Sequence, residues 1–234
     1  YAESQDITYE GDRADYTISI RTEASSTAAY NFIITDSLPC LDYTPDAMAQ
    51  YDSPDANTVG FCQNPAFQPD ECIELRLYPA YSSINDPDDF ATANPTIPLN
   101  YVDTDGNEGV INVPYNSVGG FGTNENILYK ITWLDVLGDI SPGAGISTLI
   151  WSSVDIGVAA IVTPDDNRNI ATMTLVGNVA EDSPTYPMLN QYRVRNEADF
   201  EIVVGTDTIY AGEIQDDLII NDEGMIFRPQ KNNQ

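Results

Sequence analysis

The sequence has no histidine and only two lysines, Lys130 and Lys231, among nine basic residues. Without histidine neither a Ser-His-Asp nor a Cys-His arrangement can be assembled, and the commonest general base and metal ligand is missing. A zinc site is out of reach as well, because the three cysteines, Cys40, Cys62 and Cys72, contain no Cys-x-x-Cys pair. No run approaches the roughly 18 to 20 apolar residues of a membrane-spanning helix. No phosphate-cradling glycine loop precedes a helix, since Gly119-Gly120-x-Gly122 leads into a strand-like segment. Among 37 acids some pair of carboxylates lies close by chance, so acid/base chemistry of the glycosidase type is not excluded by motif, but no motif points to an enzyme.

What is abundant is negative charge. The net charge is −28 with an isoelectric point near 4.1, and 25 of the 37 acids are aspartate. This argues against nucleic acid and anionic membranes as partners, since both are bound through lysine and arginine. Such a surface repels itself unless salt or divalent cations screen it, which fits a salty medium or specific calcium binding. The apolar share, 42%, is enough for a true core in one large or two small domains. The chain begins at Tyr1 with no signal-like apolar segment, which reads as a mature or excised form.

Strand signals dominate. In Gly11 to Pro39, Tyr16, Ile18 and Ile20 alternate with Thr17, Ser19 and Arg21, a period of two that places three large apolar groups on one face. Ala24 to Ala29 is too small and polar for a core position and reads as a connection. Tyr30 to Ile34 then returns as a partner strand, and Pro39 ends the pairing. Ile73 to Tyr78 alternates cleanly, whereas Cys40 to Gln68 and Ser82 to Pro98 read as loop. Leu99 to Val102 and Val110 to Val113 form a hairpin around the turn Asp103 to Gly109. Further strands are expected at Ile127 to Trp133, within Ser147 to Ile161, and at Asn169 to Val176. Beyond Pro184 and Pro187 they recur at Phe200 to Val204, Thr208 to Tyr210 and Leu218 to Ile220, with Gly205 and Gly212 between. Strands at this spacing, separated by Gly, Pro and Asp, specify an antiparallel sandwich.

Gly11-Asp12, then Tyr16-Thr17-Ile18-x-Ile20 and a strand ending Thr35-Asp36-x-Leu38-Pro39, is similar to the start of a conserved-repeat β-sandwich domain of bacterial and archaeal surface proteins, domain of unknown function eleven. Trp133 to Gly143, Thr148 to Trp151 and Asn169-Ile170-Ala171 to Thr174 resemble that family's tail. The resemblance implies an immunoglobulin-like sandwich exported to the cell surface, with no catalytic residues. On this reading residues 1–187 form the sandwich, with an insertion at about 40–95, and 188–234 form a C-terminal β segment that completes it or pairs with a neighbour.

An exported protein favours one disulfide. Cys62 with Cys72 would staple the loop Gln63 to Glu71 and contribute about 2 to 3 kcal/mol. Cys40 would then be buried or bonded to another chain, and its pairing with either of the others stays open. Asp103, Asp105 and Asn107 offer alternate oxygens, as in half of a calcium loop, although the twelfth position is Pro114 and the match to an EF-hand fails. The plainer reading is a solvated hairpin turn, and it holds more strongly for Asp86-Pro87-Asp88-Asp89 and Asp165-Asp166-Asn167. The fourteen tyrosines suit strand packing or a carbohydrate groove. Lys130, a lysine in a strand, raises the question of a Lys-Asn isopeptide bond. For assembly, an exposed edge strand accepts a strand from a neighbouring copy, and the candidate donors are Ile7 and Tyr9 near the N terminus and Met225, Ile226 and Phe227 near the C terminus. The expectation is therefore a non-enzymatic, self-assembling surface protein that requires no cofactor, with calcium as the one candidate ion. The alternative is an adhesin module that binds a glycan or protein.

Overall fold

A computed structural model of the chain describes residues 6–9, 13–21, 29–38, 71–119, 126–139, 145–161, 169–178 and 191–221. Among these the strands are β1 (Asp6–Tyr9), β2 (Arg13–Arg21), β3 (Ala29–Ser37), β4 (Cys72–Leu77), β5 (Thr96–Asp103), β6 (Glu108–Gly119), β7 (Asn126–Thr132), β8 (Ile146–Ser152), β9 (Ala160–Ile161), β10 (Asn169–Asn178), β11 (Gln191–Val204) and β12 (Asp207–Asn221). Two short α-helices, α1 (Pro87–Ala93) and α2 (Trp133–Asp139), and a single 3-10 turn, Pro79–Tyr81, interrupt them. The molecule is all-β, as its alternation predicts.

The strands form one curled sheet in the order β1-β12-β11-β3-β8-β5-β6-β7-β4-β10-β2, with β9 set beside β3. Among the described strands every pairing is antiparallel except that of β1 with β12. The curl has its corner in β6, which pairs with β5 from Glu108 to Pro114 and with β7 from Tyr115 to Gly119, with a register shift between Tyr115 and Ser117. Pro114 stands at that corner, where its missing N–H costs least, and an extra residue turns the strand.

Side chains alternating inward from both halves of the curl meet in one core. Phe32 and Ile34 of β3, Leu149 and Trp151 of β8, Leu99 of β5, Leu75 of β4, Tyr129 of β7, Ile18 of β2 and Met173 of β10 all belong to it. Each large apolar side chain removed from water contributes about 1.5 to 3 kcal/mol. Phe32 and Trp151 meet edge to face, with ring centroids 5.4 Å apart. Trp133, at the start of α2, is fully buried and donates its indole N–H to the Val176 carbonyl at 3.2 Å.

Four expectations need correction. First, Arg13–Arg21 and Ala29–Ser37 are both strands, but not partners of each other. β2 lies against β10, whereas β3 lies between β11 and β8. β2 and β3 thus stand in different halves of the sheet, and periodicity cannot tell two such strands from a hairpin. Second, the loop expected over Ser82 to Pro98 contains α1. Asp86 caps it by accepting from the Asp88 and Asp89 amides at 2.9 and 3.1 Å, and Pro87 starts it. Third, the strand expected to reach Trp133 ends at Thr132, where α2 begins. Fourth, Gly212 does not separate two strands but sits within β12, opposite Phe200 of β11. Pro98 is tolerated in β5 because β8 pairs with that strand only from Asn100 onward, which leaves the proline on a locally open edge.

β11 pairs with β3 over Glu197 to Val203 and with β12 along its length, so Gln191–Asn221 belongs to the same sheet. Only residues 10–12 separate β1, at one end of the strand order, from β2, at the other. Tyr9 and Arg13 are four peptide units apart, so their Cα atoms lie within about 15 Å of each other. The end of one edge strand is thereby tethered to the start of the other.

Candidate functional site

The hairpin turn between β5 and β6 places Asp103 where it closes the turn. Its Oδ1 accepts from the amides of Asp105 and Asn107 at 2.9 and 2.7 Å, and its Oδ2 accepts from the Asn107 side-chain amide at 2.9 Å. The Asn107 side chain, followed by the turn amides, holds the Asp103 carboxyl below the usual carboxylate range. Gly106 supplies the positive φ, +83°, that the turn requires. Both oxygens of the first calcium-loop position thus serve the turn itself. Among the described residues no three Asp, Glu, Cys or His side chains are grouped so as to hold a metal ion.

Of the other sequence candidates, Ile7 and Tyr9 fall in β1, in register with Ile219 and Asn221 of β12. Met225, Ile226 and Phe227 lie outside the described residues, as do Cys40 and Cys62. Cys72 is buried at the start of β4. Lys130 is engaged on the outward side of β7. Its Nζ lies 3.3 Å from a Glu74 oxygen whose twin accepts from Arg76 at 2.6 Å. Burial pushes the Glu74 carboxyl up, but these two cations outweigh it and hold the group below its ordinary value. The isopeptide question therefore receives no support from Lys130, whose neighbour is a carboxylate. No helix among the described residues is long and apolar enough to cross a membrane.

One polar pair was not anticipated from the sequence. In β3 the inward positions run Phe32, Ile34, Asp36, Leu38, so a carboxyl occupies a core slot with no exposed surface. In β11 the corresponding slot before Ala198 is Asn196, 4% exposed. The register sets Ala198 opposite Asp36, which makes Asn196 its diagonal neighbour, and the Asn196 amide donates to Asp36 Oδ1 at 2.9 Å. Asp36 Oδ2 and Asn196 Oδ1 are both buried without a hydrogen-bond partner. Burial raises the Asp36 carboxyl to about 7, against a smaller lowering by the Asn196 hydrogen bond. A carboxyl poised near neutrality is what acid/base chemistry needs, but this one has no exposed surface, and among the described residues its one side-chain hydrogen-bond partner is an amide. The signal in the sequence was a polar residue in an inward slot on each of two strands. The pairing of strands 160 residues apart was not legible there.

No family model, no curated protein and no solved structure matches this chain.

Proposed function

We propose that this protein is a non-enzymatic structural subunit of a cell-surface assembly, a filament or surface layer, polymerising by exchange of its N-terminal strand. The observation that carries the reading is the placement of β1. It is a four-residue strand at the end of the sheet, paired parallel to Leu218–Asn221 in a sheet that is otherwise antiparallel. Beyond it an edge offers main-chain groups to a further strand. A short strand at the end of a sheet is also the element most easily given up to the same edge of another copy, because the replacement makes the same bonds. The placement of β2 and β3 in different halves and the parallel pairing of the first and last described strands both support an immunoglobulin-like arrangement of the curl. An acidic exterior keeps such subunits hydrated and places their association under the control of salt.

Light scattering and electron microscopy at neutral pH, in salt with calcium and then with chelator, test this reading. Regular polymers are expected, and deletion of residues 1–9 should abolish them while leaving a folded monomer. A monodisperse monomer under every condition overturns the proposal and favours an adhesin module, for which a glycan array is the next measurement.

A further inference from the structure

The Asp36 and Asn196 pair is short of one hydrogen. The amide has spent a donor on Oδ1, and two acceptors, Oδ2 of the acid and Oδ1 of the amide, are left buried with none. A buried acceptor without a donor is costly, and a buried carboxylate is costlier still. Among the described residues the one other unpartnered polar group on this face is the buried indole N–H of Trp151, which lies opposite Ile34 on β8, and the remaining side chains around the pair are apolar. A proton on Oδ2 can satisfy both at once, since it turns that oxygen into a donor that the amide carbonyl can accept. The pair then becomes an acid–amide ring closed by two hydrogen bonds.

We propose that Asp36 is a proton-binding site in the core, holding a proton that it shares with Asn196 to clasp β3 to β11, and that losing this proton loosens the contact between the two strands. The surroundings isolate it. On the same face the flanking strand β8 presents Leu149 and Trp151, β11 presents Ala198 beside Asn196, and β3 itself presents Ile34 and Leu38, none of them ionisable, and the tyrosines of this half stand farther off, Tyr30 three inward slots back on β3 and Tyr101 on β5, across β8 from Asp36. The ionisable core residues of the other half are Tyr16 and Tyr129, and the Tyr129 hydroxyl is committed to the Asn94 carbonyl at 2.8 Å. Beyond Asn196, the register position on β12 is Asp216, the nearest acid along that row. When Asp36 ionises, an acceptor faces an acceptor. The amide can donate to either oxygen, but it cannot supply the carboxylate and its own carbonyl together.

Infrared spectroscopy of the whole chain tests the proposal without any variant. At a pH where exposed carboxylates are ionised, a carboxylic-acid carbonyl band equivalent to one proton is expected, and it should vanish as the pH is carried above neutrality. Asp36→Asn, which keeps the shape and the amide ring, is expected to lose that band. Hydrogen exchange over Glu197 to Val203 should accelerate above neutrality in the wild type, beyond the intrinsic base dependence, and should not do so in Asp36→Asn. Absence of the band, or a band that persists in Asp36→Asn, overturns the proposal. So does a band whose midpoint follows the concentration of sodium or potassium at fixed ionic strength, which would reveal a cation in the proton's place.

Discussion

Asp36 occupies a position that Phe32, Ile34 and Leu38 would lead one to fill with an aliphatic side chain, and the cost of its burial sets how stability responds to pH. Its carboxyl titrates near 7 in the folded chain and at about 3.8 when exposed. The folded state therefore binds this proton more tightly than the unfolded state does. The associated stability is fully present below about pH 4, falls as the pH rises from about 4 to about 7, and is gone above that. Over the whole window the loss is about 4 kcal/mol. Denaturant unfolding of the wild type and of Asp36→Asn across this range should give a difference that changes by about that amount. Parallel curves would show that Asp36 titrates alike in both states. The same residue marks what a sequence conceals. Asp36 stands between Thr35 and Pro39, among residues that end strands, and so reads as a terminator. It became a core residue only because β11 supplied an amide.

At the scale of the element, alternation revealed the strands and the local chemistry of the helices was overlooked. Tyr16, Ile18 and Ile20 are buried on one face, and the Leu99 and Val110 hairpin pairs as its Asp-Gly turn suggests. Both helices carry their start signals in the sequence. Asp86-Pro87-Asp88-Asp89 is an N-cap, a proline at the first position and acids in the first turn. Thr132-Trp133-Leu134-Asp135 has the spacing of a capping box: the Asp135 amide donates to Thr132 Oγ1 at 3.1 Å, and that hydroxyl, in place of the cap's backbone N–H, donates to the Asp135 carboxylate at 2.7 Å. Their brevity, seven residues each, hid them from any search for a helical period. Asp86→Ala and Thr132→Ala should each cost about 1 kcal/mol in thermal or denaturant unfolding. A change within a few tenths would mean that packing, through Ala91 and Trp133, holds these turns without their caps. The partner of each strand was the part least legible, because β2 and β3 are neighbours in the chain and strangers in the sheet.

For the whole molecule, a net charge of −28 on 234 residues opposes compaction at every pH above the carboxylate range. Raising the salt from about 0.01 M, where charges interact over about 30 Å, to about 1 M, where they do so over about 3 Å, should raise the melting temperature by several degrees. Calorimetry checks this, and a melting temperature that is flat or falls would mean that specific ion pairs such as Glu74 with Arg76 and Lys130 outweigh the general repulsion. The pairing of the first described strand with the last acts at the same scale. β1 and β12 run parallel, so the chain enters the pair at Asp6 and leaves it at Asn221, at opposite ends of the ladder. Tension drawn between those points pulls the two strands along each other's length. The bonds between them are then strained together in shear, not parted one by one as in a zip, and a subunit pulled by its neighbours would give way at a high force.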